Sequence, residues 1–172
     1  MIPKIRKVLY ATDLSSNSVY AFRYAVNTAL MHKARLVILH IIEQLPPHAR
    51  AIVEMNLSKE QEIQTLKDAI QASIDKVHTR LKNFCTLELK DNPECKDIVS
   101  SIVVIEGYPV EEILKKADEY ECDIIIIGSH GKGMLSHAFL GSVAEKILKR
   151  SRKPVYVIPL PKDLVESEIN EM

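Results

Sequence analysis

Four of the five glycines in this 172-residue chain fall between residues 128 and 141. Gly128-Ser129-His130-Gly131-Lys132-Gly133 directly follows an apolar run, and Gly141-Ser142 opens an amphipathic stretch. Glycine permits positive φ and lets a ligand approach the peptide groups closely. The unpaired N–H groups and the dipole of a helix beginning at Ser142-Val143-Ala144 would favour an anion. Strand, glycine loop and helix N-terminus together make a candidate phosphate cradle. Turn chemistry is the competing account, since sharp strand-to-helix turns also use glycine and Ser142-Val143-Ala144-Glu145 fits a capping box. The loop lacks both the GK[ST] ending of a Walker A loop and the GxGxxG pattern. Neither a P-loop NTPase nor a hydride-transferring dehydrogenase is supported.

Asp13 is the second residue of interest. It lies in the polar turn Thr12-Asp13-Leu14-Ser15-Ser16, just past the apolar segment Val8–Ala11. A carboxylate there can meet a ligand at a strand's carboxyl end; helix capping by Asp13, Ser15 or Ser16 is the alternative. Ser129-His130 invites a nucleophile-and-base reading. Neighbours in sequence rarely aim their side chains at one another, and no GxSxG elbow exists, so no catalytic residue is expected. His32, His40, His48, His78 and His137 show no HxxxH or HExxH spacing, and no metal-ligating residues are assigned. Lys146, Lys149, Arg150, Arg152 and Lys153 cluster late in the final helical segment, where the helix dipole favours cations. A nucleic-acid patch is the alternative, but aromatic interleaving is missing and no nucleic-acid partner is expected.

The elements that must position these residues can be read from composition and periodicity. With 47% hydrophobic residues, the chain can bury a single good core. Its 23 Lys+Arg balance 23 Asp+Glu, so no global charge draws it to nucleic acid or an anionic membrane. No apolar run approaches the roughly 20 residues that span a bilayer, so no membrane partner is expected. Three cysteines without CxxC spacing read as reduced thiols of a cytoplasmic protein.

Short apolar runs alternate with amphipathic stretches. Strands are expected at Val8–Ala11, Leu36–Ile42, Ile98–Ile105, Ile124–Ile127 and within Pro154–Pro159. Helical stripes run from about residue 16 to 32, through Ile63–Phe84 for about six turns, from Pro109, and from Ser142 to Ser151. Pro46-Pro47 breaks the chain, Ala49–Leu57 is a loop or short helix, and residues 85–97 form a polar connector with Asn92-Pro93. Runs apolar on both faces suit parallel strands covered by helices on both sides. The expected class is α/β, an open five-stranded parallel sheet. Ligands bind such sheets beyond the carboxyl ends of the strands, which directs attention to the turns after Tyr10, Leu39 and Ile127.

Gly128-x2-Gly131-x9-Gly141-Ser142 matches the nucleotide motif G-x2-G-x9-G-[ST] in both spacing and residue type. With it, the chain resembles the ATP-binding branch of the universal stress protein family, which is UspA-like. Leu9–Ser15, Leu39-His40-Ile41 and Arg152–Pro159 resemble that family's first, second and last strands, and the likeness covers about residues 4–160. Ala11, where many members have proline, and the long 43–97 segment are departures. The resemblance implies a Rossmann-like sheet of order 3-2-1-4-5 and a homodimer through residues 154–159, while length and composition suggest one domain over residues 1–160 and a peripheral, acidic tail at 161–172. It implies ATP as ligand, with ADP or AMP as alternatives, and Mg²⁺ or Mn²⁺ held mainly through the phosphates. Ala11, Thr12, Asp13 and Ile41 would take the adenine and ribose side. Gly128, Ser129, His130, Gly131, Lys132, Gly141, Ser142 and Val143 would surround ribose and phosphates. The function implied is a nucleotide-dependent stress or signalling module with a further protein partner. A slow ATPase or nucleotide-transferring enzyme, and a nucleotide-free dimeric interaction protein, are the alternatives.

Overall fold

A computed structural model describes residues 2–15, 18–45, 48, 51, 60–92, 95, 97–130 and 140–159. The elements are β1 (Lys7–Thr12), α1 (Ser18–His32), β2 (Arg35–Glu43), α2 (Glu60–Glu88), β3 (Val99–Gly107), α3 (Pro109–Glu119), β4 (Ile124–Gly128), α4 (Ser142–Arg150) and β5 (Val155–Ile158). All strand pairs are parallel, and the order is β3-β2-β1-β4-β5. The α/β class and the 3-2-1-4-5 order are those expected.

Alternation along each strand divides the core into two layers. Val8 and Tyr10 of β1 pack with Ala21, Phe22 and Ala25 of α1 and with Leu81 and Cys85 of α2. Leu9 and Ala11 pack on the other face with Val110 and Ile113 of α3 and with Ala144 and Ile147 of α4. Both faces of β1 are therefore covered, which is why its sequence shows no polar alternation. The Phe22 and Phe84 rings meet edge-on at 5.0 Å and tie α1 to α2.

Two helices end without glycine. Lys33 and Glu121 adopt φ values of 53° and 51°. Ala34 N–H donates to Ala29 O, and Cys122 N–H to Ala117 O, each at 2.8 Å, closing the six-residue rings of Schellman ends. That leaves most of the few glycines for the loop after β4.

The helix α2 is longer than its sequence stripe suggested. Its 29 residues span about 43 Å, against about 30 Å for the nine-residue strands β2 and β3. Leu81 and Cys85 are buried, whereas residues 64–69 are all exposed. The crossover from β2 back to β3 sets the amino-terminal part of α2 beside the carboxyl ends of the strands. Pro46-Pro47, most of Ala49–Leu57, Pro93 and the tail beyond residue 159 lie outside the described residues.

The capping box at Ser142–Glu145 does not form. Gly141 is the N-cap of α4, Ser142 is the first helical residue, and no side chain caps the end. Glu145 instead pairs with Lys149 one turn on. Among the described residues, no helix is long and apolar enough to cross a membrane. The three cysteines are buried, and burial pushes the Cys85 and Cys122 thiols up to about 11.

Candidate functional site

A cleft of about 890 Å³ opens at the carboxyl ends of the strands, within the size range of ligand sites. Ala11, Thr12 and Asp13 enter it from the end of β1, and Ile41 from β2. Gly128, Ser129 and His130 enter from the end of β4, and Gly141, Ser142 and Val143 from the start of α4. Ten of the twelve residues expected at the site thus line one cavity, although they are separated by up to 132 positions in the chain. The other two, Gly131 and Lys132, lie outside the described residues, as do Gly133 and His137.

The turn after β1 is a braced structure. Leu14 adopts φ 62°, a left-handed conformation that a branched side chain seldom takes. Thr12 Oγ1 accepts from Leu14 N–H at 3.1 Å. Asp13 Oδ1 accepts from Ser15 N–H at 3.1 Å and from Ser15 Oγ at 2.7 Å. The carboxylate therefore shapes an Asx-type turn ahead of α1, which begins only at Ser18. Ser16, also considered as a cap, lies outside the described residues.

Gly128 is not demanded by the fold. Among the described residues, a Cβ there would meet only His130 O, at 3.5 Å, an ordinary contact. The side-chain-free position leaves room on the cleft side. Ser129 is buried and held by its backbone: its N–H donates to Ile158 O and its carbonyl accepts from Gly141 N–H, each at 2.8 Å. Contrary to expectation for sequence neighbours, Ser129 Oγ and His130 Nδ1 lie 2.7 Å apart. Backbone bonds to β5 and α4 on either side of Ser129 set the local course that lets the two side chains meet.

Sequence reasoning missed His40, Tyr10, Ser18, Ser73 and Val77, all of which line the same cleft. His40 is buried, with Nδ1 2.8 Å from Thr12 O. A carbonyl only accepts, so the proton resides on Nδ1. Tyr10 Oη donates to Ser18 O at 2.5 Å, and burial pushes its phenol up to about 12. Strand parity was the available signal, because even-numbered residues of β1 and β2 face α1 and α2. Ser73 and Val77 depend on the length of α2, which periodicity understated.

No Lys or Arg stands among the described lining residues, whereas Asp13, Glu43 and Glu145 do. An anion would be received by backbone N–H groups at the start of α4 and by imidazole. The basic cluster late in α4 is largely paired: Arg150 meets Glu111 at 2.7 Å, Lys153 meets Asp118 at 3.2 Å, and Lys149 meets Glu145. The Arg150 guanidinium holds the Glu111 carboxyl below the usual range. Among the described residues, no group of three or more His, Cys, Asp or Glu could hold a metal.

A model of the Universal stress protein family matches residues 4–159. The chain is 33% identical over 161 residues to Universal stress protein MJ0577 of Methanocaldococcus jannaschii, an alignment covering 89% of this chain and 94% of the relative. A solved structure of the MJ0577 protein matches with a TM-score of 0.67 at 29% identity, covering 93% of this chain and 99% of the other. Universal stress protein YxiE of Bacillus subtilis is 28% identical over 152 residues, 88% of this chain and 97% of its own.

Proposed function

The chain belongs to the universal stress protein family, and from that premise we propose that it binds an adenine nucleotide and acts as a nucleotide-dependent stress-response or signalling module in the cytoplasm. ATP is the first choice of ligand, with ADP or AMP as alternatives. The observation that carries the reading is the convergence of Gly128–His130, the start of α4 and the Ala11–Asp13 turn on one cleft.

In this reading Ala11, Ile41 and Ile127, which share the α3/α4 side of the sheet, offer an apolar floor to the base. Asp13 and the Ile41 backbone hold the adenine and ribose side, with Thr12 shaping the turn beneath. Gly128, Gly141, Ser142 and Val143 surround ribose and phosphates, and the N–H groups of α4, uncapped by any side chain, receive phosphate charge. Ser129 and His130 stand beside the phosphates, and the motif assigns Gly131 and Lys132 to the same loop. A divalent cation, Mg²⁺ or Mn²⁺, is held through the phosphates and shares their charge. A second reading, transfer chemistry at the same site, is favoured by the Ser129–His130 contact.

Calorimetry with ATP and GTP tests the proposal, together with identification of any nucleotide that co-purifies. A buried polar group left unpaired by the wrong base costs roughly 1–3 kcal/mol, so ATP should bind about 5- to 150-fold more tightly than GTP. Gly131→Val combined with Gly141→Val should abolish binding while circular dichroism is retained. Equal affinities for the two nucleotides, or unchanged ATP affinity in that folded variant, would refute the assignment.

A further inference from the structure

The ladders of β1 end where the strand does: Ala11 lies opposite Ile127 of β4, and Thr12 lies opposite His40 of β2. The turn beyond carries Asp13 into the cleft and is braced by side chains. Thr12 Oγ1 accepts from Leu14 N–H, and Asp13 Oδ1 accepts from Ser15. Leu14 sits at φ 62°, a conformation that persists only where its surroundings impose it. A side-chain bond from β2 ties this turn back to the sheet. His40 Nδ1–H donates to Thr12 O at 2.8 Å, from a residue only 7% exposed. That oxygen belongs to the planar peptide joining Thr12 to Asp13, so a donor held by the packing around it fixes the plane from which Asp13 departs.

Leu39 and Ile41 on either side of His40 belong to the α3/α4 layer, so alternation turns the imidazole to the α1/α2 face. It lines the cleft from that face, away from the apolar floor assigned to the base. Its influence on the base therefore passes through the turn. We propose that His40 is a positioning residue for adenine recognition, whose Nδ1–H fixes the Thr12–Asp13 peptide and so aims the Asp13 carboxylate at the nucleotide; this rests on the nucleotide reading above. A histidine that only fills the core is the competing account, and under it affinity follows stability.

The test is calorimetry with ATP and GTP in Mg²⁺ buffer on the full chain as wild type, His40→Asn and His40→Leu, each melted by circular dichroism. Asparagine places an N–H as many bonds from Cα as Nδ1 and restores the donor, whereas leucine fills the core and removes it. His40→Asn should bind ATP nearly as the wild type does. His40→Leu should bind it about 10- to 150-fold more weakly, the worth of hydrogen bonds to a charged group, and lose the preference over GTP, even where it melts higher than His40→Asn. In an Asp13→Asn background His40→Leu should add little, since residues acting as a unit do not add. Isotope-labelled imidazole gives a readout that needs no variant: neutral His40 in the wild type should carry its proton on Nδ1, and bound ATP should shift that signal. Affinities that follow melting temperature, fully additive losses, a proton on Nε2, or an unmoved Nδ1 signal with ATP bound overturns the proposal. Absence of ATP affinity in the wild type overturns the nucleotide reading itself, and this proposal with it.

Discussion

Tyr10 belongs to the core through its ring and to the cleft through its hydroxyl. Its phenol is raised from 10.0 to about 12, chiefly by burial. The folded chain therefore keeps this proton after the unfolded chain has released it. The associated stability is full below pH 10 and is lost as pH rises through about 12, roughly 3 kcal/mol in all. Thermal melts between pH 8 and 11.5 should show a shallower alkaline decline for Tyr10→Phe than for the wild type, after an initial cost of about 1 kcal/mol for the bond to Ser18. Cys85 and Cys122, raised from 9.0 to about 11, add a decline of the same sign to both proteins, so the difference isolates Tyr10. Gly128 gives a second residue-scale expectation. Since a Cβ finds ordinary contact there, Gly128→Ala should melt within about 0.5 kcal/mol of the wild type yet bind ATP at least tenfold more weakly. Asp13→Asn keeps an acceptor for Ser15 and removes the charge, so weaker ATP binding by a normally folded Asn variant would separate a ligand role from turn bracing.

At the scale of elements, α2 is anchored unevenly along its length. Leu81 is 1% exposed and sits in the core, whereas Leu66 is 40% exposed. Urea denaturation should show Leu81→Ala costing about 2–5 kcal/mol and Leu66→Ala less than about 1 kcal/mol. Comparable losses at both sites would mean that the amino-terminal part of α2 is packed against something in solution. The apolar stripe of α2 was legible because its period of three to four residues is local. Its reach over the cleft was not, since that depends on the difference between helix length and strand length. The start of α4 makes a related point. A capping box fits Ser142–Glu145 by type and spacing, but Gly141 takes the N-cap place and Glu145 turns to Lys149.

For the whole molecule, the exposed edge of the sheet is decisive. Ile125 N–H donates to Pro154 O, and Ser129 N–H to Ile158 O, so even-numbered residues of β5 face β4. By alternation, the N–H groups of Val155 and Val157 point away from β4, and Tyr156 is 44% exposed. An apolar edge of this kind invites a second strand, and a two-fold axis would pair β5 with its own copy. Sedimentation at micromolar concentration should give a dimer. Val157→Pro, which removes an outward donor and leaves the pairing with β4, should give a monomer; proline at 156 would instead break the bond to β4. Coverage of the edge by the chain's own tail is the alternative, and residues 160–172 lie outside the described ones. A monomeric wild type, or a dimeric Val157→Pro, places the interface elsewhere.

The amino-acid sequence by itself determined the alternation of strands and helices, the two-sided burial of the strands, and the glycine loop with its motif. Each is a property of neighbouring residues: apolar runs, helical periodicity, and the conformational freedom of glycine. The strand order followed only from the resemblance, because periodicity carries no information about which strands lie side by side. The tertiary structure alone decided which side chains share the cleft. It set His40, Tyr10, Ser73 and Val77 beside the expected Asp13 and Gly128, and brought Ser129 Oγ to His130 Nδ1. The reason is that these placements are fixed by long-range bonds. Parallel register aligns Thr12 with His40, the crossover sets α2 beside the strand ends, and the bonds from Ser129 to Ile158 and Gly141 fix a residue whose own sequence leaves its side chain free to point elsewhere.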